Sequence, residues 1–203
     1  MIKKMIYPIA VSIAACLIIY AFSVQKDLSD GIMRLHIISD SNSEFDTMVK
    51  LEVRDAIIKE AGDIFKEVKN KKQCRSLFEE NKGDIKKIAE RVLKENGLEY
   101  GASVIIGKMY VPRKIYDGII LPEGSYEGVT VRLGEAKGQN WWCVVYPPLC
   151  FTESTSGELS EEAKEYLKNT LPPESYSLIS EEGINIEYKF KIVELIQKIK
   201  KNF

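Results

Sequence analysis

Glu127-Gly128-Val129-Thr130-Val131-Arg132-Leu133 is followed by Gly134-Glu135-Ala136-Lys137-Gly138 and then by Gln139-Asn140-Trp141-Trp142-Cys143-Val144-Val145-Tyr146-Pro147-Pro148-Leu149-Cys150-Phe151. The reading of this run decides the fold. In its first part Val129, Val131 and Leu133 alternate with polar neighbours, the period of a half-buried strand. Trp141 to Tyr146 is apolar at successive positions, which suits a central strand. Pro147-Pro148 must end the ladder, because proline has no amide proton to donate. The Gly-flanked segment 134–138 is expected to join the two strands as a hairpin. On a strand, Trp141 and Trp142 point to opposite faces. One is then expected in the core and the other half-exposed, where a tryptophan can anchor a protein partner.

Outward from this run the texture is mixed. Ala102 to Ile106 and Met109 to Val111 form one extended segment, and Ile32 to Ile38 a short strand ending in the polar loop Ser39-Asp40-Ser41-Asn42-Ser43. Ser41 with Glu44, or Ser43 with Asp46, can close a capping box over a helix. Phe45, Met48, Val49, Ala56, Ile57, Ala61, Ile64, Phe65 and Val68 recur at helical spacing, with Lys50, Arg54, Asp55, Lys59 and Glu60 assigned to the other face. After Lys69-Asn70-Lys71-Lys72 a second helix carries Leu77, Phe78, Ile85, Ile88, Ala89, Val92 and Leu93. Gly83 weakens its middle, and Asn96-Gly97 stops it. Two helices joined by a short loop are expected to lie antiparallel along one apolar seam. A short helix is expected over 159–171 and a last, basic one over 188–199. The fold class is α+β: a helical hairpin packed on a small antiparallel sheet, with an N-terminal signal or transmembrane helix and C-terminal helices.

Lys3 and Lys4 precede a stretch without charge up to Lys26. That length crosses a bilayer core, and it also fits a secretory signal with small residues near Ala21-Phe22-Ser23. The lysine pair stays on the cytoplasmic side, which places the rest outside. The chain divides into residues 1–25, signal peptide or membrane anchor, and residues 26–203, one extracytoplasmic domain. Cys16 follows Ile13-Ala14-Ala15 as in a lipoprotein cleavage box, but the apolar run continues beyond it. The net charge is −1, so no strong field points to nucleic acid. Three cysteines lie outside: Cys74, Cys143 and Cys150. Cys74 reads as a packing residue, and Cys143 and Cys150 either are linked around the Pro-Pro turn or are not.

Residues that carry chemistry are few. His36 is the only histidine, and no set of ligands at zinc spacing accompanies it. No nucleophile elbow, phosphate loop or Cys-x-x-Cys is present. Gln139 ahead of Cys143 resembles a thiol hydrolase only faintly. The base such a thiol requires would have to be His36, and Cys143 sits in an apolar strand. Asp40, Asp46 and Asp55 form no paired-carboxylate set, and Asp40 is expected to serve the turn before the first helix. Nothing in the sequence calls for a cofactor or a metal.

Arg34-Leu35-His36-Ile37-Ile38, then Ser41, Ser43, Asp46, Lys50, Leu51 and Val53-Arg54-Asp55, then Leu121-Pro122-Glu123-Gly124-Ser125-Tyr126, and above all Gly138 to Val144 and Pro147 to Phe151, resemble the stage II sporulation protein R family of endospore-forming bacteria. The match covers most of the domain. Asp40 and Asn42 stand where that family tends to have Asn and Asp, and Ala136 where it commonly has Gly. The resemblance implies an exported signalling protein, not an enzyme. It would be made in the forespore and cross into the intermembrane space of the sporulation septum. There it would activate a membrane-embedded aspartyl protease of the mother cell, of the stage II sporulation protein GA type. That protease cleaves the precursor of the mother-cell sigma factor. The expected partner-binding residues are Trp141, Trp142, Gln139, Asn140, Pro147 and Pro148, with Arg34, His36, Arg54 and Asp55 on the same surface or in a polar network beneath it. The alternatives are an exported cell-wall hydrolase of the thiol type, using Cys143 and His36, or a structural septal protein held by its N-terminal helix.

Overall fold

β1 (Met33–Ile38) sets the architecture, because it lies inside the sheet and not at its edge. A computed structural model of the chain describes residues 2–66, 68–116, 118–149 and 161–180. Its main sheet contains β2 (Ala102–Val111), β5 (Gly124–Leu133) and β6 (Asn140–Tyr146) in the order β2-β5-β1-β6. β1 runs parallel to β5 and antiparallel to β6, and β2 is antiparallel to β5. The α+β class holds, but the sheet is mixed where an antiparallel one was expected.

The expected hairpin is therefore replaced. β5 and β6 are not neighbours, because β1, buried at nearly every position, takes the central slot between them. Segment 134–139 instead crosses the end of β1 and is stitched to the chain leaving it. Gly138 N donates to Ser39 O and Lys137 N to Asp40 O, each at 3.0 Å, and Ser39 N donates to Gln139 O at 3.3 Å. The Asp40 carboxylate accepts from Glu135 N at 2.6 Å. Asp40 thus fixes this crossover and does not serve the helix start. A Cβ at Gly138 would run into the Ser41 carbonyl, which explains a glycine at that point.

One sheet face is covered by α2 (Glu44–Lys66), α3 (Lys71–Glu80) and α4 (Lys82–Glu95). Val49, Val53, Ile57, Ala61 and Phe65 recur every fourth residue and bury one stripe of α2 against Leu35, Val129 and Val131 of the sheet and Ile85, Ala89 and Val92 of α4. Phe65 stacks on Phe78 with ring centroids 4.0 Å apart. Ser43 caps the helix: its hydroxyl accepts from Asp46 N at 3.0 Å and donates to the Asp46 carboxylate at 2.8 Å, while Ser43 N donates to Ser41 Oγ at 3.1 Å and not to Asp46, so the box expected there is only half formed. Phe45, Met48 and Ile64 are exposed, against expectation. Met48 and Ile64 precede stripe residues by one position, about 100° around the helix, and Phe45 sits in the first turn. Lys50, expected on the solvated face, is buried, and its Nζ donates to Gln139 O at 3.1 Å.

The single second helix is in fact two. Asn81 divides α3 from α4: its N–H and its side-chain amide both donate to Leu77 O, and its own carbonyl accepts from Asp84 N and Ile85 N. Gly83 consequently lies in the first turn of α4 and not in mid-helix. Asn70 caps α3 by accepting from Gln73 N, and Gly97, at φ 72°, follows α4 in the left-handed conformation.

Among the described residues, the other sheet face is covered only at one end. There a second core gathers Val24, Leu28 and Ile32 from the end of α1 (Ile2–Gly31), Val111, Tyr126 and Val144 from the sheet, and residues of a small hairpin, β3 (Lys114–Tyr116) and β4 (Ile119–Leu121). α5 (Glu161–Thr170), α6 (Pro173–Ile179) and Leu171 between them close it, the helices contributing Leu167, Leu178 and Ile179. β3, β4 and α6 were not anticipated, whereas α5 matches the helix expected over 159–171. The basic helix expected over 188–199 lies outside the described residues. α1 is continuous: its side chains from Val11 to Tyr20 are exposed and its last turns are core. It is one apolar helix, long enough for a membrane anchor or a signal segment.

Candidate functional site

Strand registers align residues into rows across the partly covered sheet face. Ile105 pairs with Thr130, Thr130 with His36 and His36 with Trp142, one row across all four strands. The next row is Ser103, Arg132, Ile38 and Asn140. These rows run outward from the edge of the second core, against which Trp142 packs, and His36 is buried within the first of them. Ile105, Ser103, Arg132 and Asn140 are exposed, and Trp142 is half-buried. The result is an open platform that joins an aliphatic residue, hydrogen-bonding groups, a cation and an aromatic pair.

The aromatic pair is well defined. The His36 and Trp142 rings stack at 3.6 Å between centroids and 10° between planes. His36 Nε2–H donates to Asn140 Oδ1 at 2.6 Å. Burial pushes the His36 pKa below that of a free imidazole, and the Asn140 bond offsets part of this. The neutral ring is thus held flat against the indole, with its tautomer set by Asn140.

Beneath the platform's inner edge lies Arg34, fully buried. Its Nη2 donates to Tyr116 Oη at 2.8 Å, and its guanidinium carbon lies 5.5 Å from the ring centroids of both Tyr116 and Tyr126. Tyr116 Oη donates on to Trp142 O at 3.3 Å, so Arg34 supports the strand that carries Trp142. Nε and Nη1 of Arg34 have no hydrogen-bond partner among the described residues. The ring faces take the place that a carboxylate usually holds beside a buried guanidinium.

The remaining residues expected in the site fall elsewhere. Trp141 points to the helical face, packs against the main core and lies under the Arg54 guanidinium at 5.5 Å. Arg54 in turn pairs with the exposed Asp55 at 2.7 Å. Gln139 contributes its backbone: its carbonyl accepts from Ser39 N, Ser39 Oγ and Lys50 Nζ. Pro147 is buried behind a cis Tyr146–Pro147 bond, and Pro148 is half-buried beside it, at the end of β6 away from the platform. Of the residues expected to act together, the structure brings together Trp142, His36 and Asn140, with Arg34 below. Trp141, Arg54 and Asp55 form a separate cluster on the opposite face.

Ile105, Thr130 and Arg132 were missed as platform residues. Their alternation was visible, but which strands meet, and in what register, was not. Also missed was the Asp46 network. Asp46 accepts from the hydroxyls of Ser41, Ser43 and Tyr100, the last at 2.7 Å. The Ser41 bond, then the Tyr100 bond, holds its carboxyl below the usual carboxylate range.

Cys143 is disulfide-bonded, while Cys16 and Cys74 are free thiols and Cys150 lies outside the described residues. Burial pushes the Cys74 thiol up to about 12, which makes it a packing group. Cys143 pairs across from Leu35 and His36 from Trp142, so the cysteine and the histidine face opposite sides of the sheet. Among the described residues no three His, Cys, Asp or Glu side chains gather as a metal site.

Fold and site together define an α+β domain carried on an apolar N-terminal helix, with an open sheet platform suited to binding. Residues 29–156 match the family model described as Stage II sporulation protein R. The chain is 33% identical over 138 residues to Stage II sporulation protein R of Bacillus subtilis (strain 168). That alignment covers 68% of this chain and 62% of the relative, just under two thirds of its length. The chain belongs to the stage II sporulation protein R family. No solved structure matches it.

Proposed function

We propose that this chain is an intercellular signal of sporulation, exported from the forespore into the septal intermembrane space. There it activates a membrane-embedded aspartyl protease of the mother cell, which cleaves the precursor of the mother-cell sigma factor. α1 carries the domain across the membrane and holds it on the far side. The reading rests on family membership, on the apolar helix, and on one observation above the others: the half-buried Trp142 ends a row that starts at exposed Ile105 and runs beside exposed Ser103, Arg132 and Asn140. A partly accessible tryptophan among such neighbours can anchor a partner. Trp142 and its neighbours form the contact surface. Activation follows if the platform binds the active form of the protease more tightly than the inactive form. A tenfold shift in that equilibrium needs a difference of about 1.4 kcal/mol.

The thiol-hydrolase alternative loses its parts, since Cys143 is in a disulfide and His36 is on the other face. Reconstitution tests the signalling reading. The protease, the sigma precursor and this chain are co-expressed in a non-sporulating host, and precursor cleavage is followed by immunoblot. Cleavage should require the chain and its export. Cleavage at the same rate without the chain, or with a cytoplasmic version lacking residues before Lys26, defeats the reading.

A further inference from the structure

A cavity of about 310 Å³ opens where α1 enters the domain, between the end of that helix, the start of α3 and strands β2 and β5. Lys26, Lys71 and Lys108 line it. The acidic residues on its wall are partly committed: Glu127 pairs with Arg75 and with Lys71 at 3.4 Å, and Asp30 lies near Lys71. Lys26 and Lys108 make no ion pair among the described residues. Gln25 also lines the cavity, but its amide atoms are closed to solvent and turned to the neighbouring Tyr126 hydroxyl. The cavity therefore offers a ligand the ammonium groups of Lys26 and Lys108, a setting that suits an oxyanion.

The position of the cavity says where that oxyanion comes from. A bilayer core of roughly 30 Å takes about 20 helical residues. Counted from Met5, directly after Lys4, such a span ends at Val24, between Phe22 and Gln25, which both line the cavity. The opening therefore lies at the level of the lipid headgroups. We propose that it binds the headgroup of an anionic phospholipid, with Lys26 and Lys108 on the phosphate. The site fixes the height and rotation of the domain on the membrane, and so the direction in which the platform faces. This rests on the reading of α1 as a membrane helix.

The test uses the full chain in neutral detergent, with thermal unfolding followed by circular dichroism. The added probes are dioctanoyl phosphatidylglycerol, dioctanoyl phosphatidylcholine and inorganic phosphate. The anionic lipid at saturation should raise Tm by about 3 °C or more, and the other two should not. The K26A/K108A double variant should unfold at the wild-type temperature without lipid and lose most of that rise. An equal rise with phosphatidylcholine, a full rise with phosphate alone, or an undiminished response of the double variant overturns the proposal. Alkaline carbonate extraction of the chain from cell membranes separates the two premises. Release into the soluble fraction defeats the membrane placement, whereas retention without a lipid response defeats the pocket alone.

Discussion

The two faces of the sheet are built by different means. The helical face is a continuous apolar interface, in which α2, α3 and α4 bury Val53, Ile57, Phe65, Phe78, Ile85 and Leu93 almost completely against the strands. Among the described residues the opposite face is half core and half open. Its covered end is assembled from short pieces and from the end of α1, with a buried arginine among them, and its open end carries exposed Ile105, Arg132 and Asn140 beside a buried imidazole stacked on a half-buried indole. One side is organised for stability and the other leaves polar and aromatic surface uncommitted. The adjacent residues Trp141 and Trp142 each belong to one of these sides.

That contrast can be broken first where stability is concentrated. Phe78→Ala removes a ring that is 1% exposed and stacked on Phe65, and should lower unfolding free energy by about 3–5 kcal/mol in urea titration. A loss below about 1 kcal/mol would mean that the helical layer is not the main core. Trp142→Ala sharpens the comparison from the other side. It should lower stability by about 1–2 kcal/mol, because the ring is only partly buried, and abolish cleavage of the sigma precursor in the reconstituted host. Trp141→Ala, whose ring is half-buried on the other face, should lower stability by a similar amount with signalling retained in the folded fraction. Equal signalling by the two variants would remove the assignment of roles to the faces.

The difference between the faces also explains what could be read from the sequence. The helical side follows rules local to each segment. A four-residue spacing from Val49 to Phe65, a Ser43 cap and a Gly97 stop are all legible one element at a time. The open side depends on which strands meet. Gly134 to Gly138 has the composition of a hairpin turn, and only the insertion of β1 between β5 and β6 turns it into a crossover held by Ser39 and Asp40. The row that places Thr130 between Ile105 and His36 follows from that insertion and cannot be read without it. β3, β4 and α6 are each too short to show a period. Trp142, His36 and Asn140 were legible as candidates through their chemistry, but their separation from Trp141, Arg54 and Asp55 came only from the pairing.

The crossover offers a smaller test. Ala136 has φ 53°, a left-handed conformation that places Cβ against the following carbonyl and costs a non-glycine residue about 1 kcal/mol. Ala136→Gly relieves this and loosens the unfolded chain, two effects of opposite sign. The net expectation is a gain of about 0.5 kcal/mol, read as a higher urea midpoint at unchanged slope. A decrease would mean that the turn tolerates the methyl group without strain.

The smallest effect is one of pH, and it probes the open face directly. The His36 pKa is lowered in the folded chain, first by burial. As pH falls below about 6.5, the unfolded chain takes up its proton before the folded chain does, so stability declines with falling pH. The decline ends once pH has passed the folded value, and above pH 6.5 this group contributes no slope. Asp46 acts in a separate range, because its lowered carboxyl pKa contributes stability that is lost only as pH falls below about 3.8. Asn140→Ala removes the bond that raises the His36 value, so the folded pKa falls further and the decline extends to lower pH. His36→Gln should abolish the slope between the two ranges. If the Asn140 variant instead shortened the decline, the imidazole would be held by solvent or by another partner, and the ring pair on the platform would not be the fixed unit that the contact surface requires.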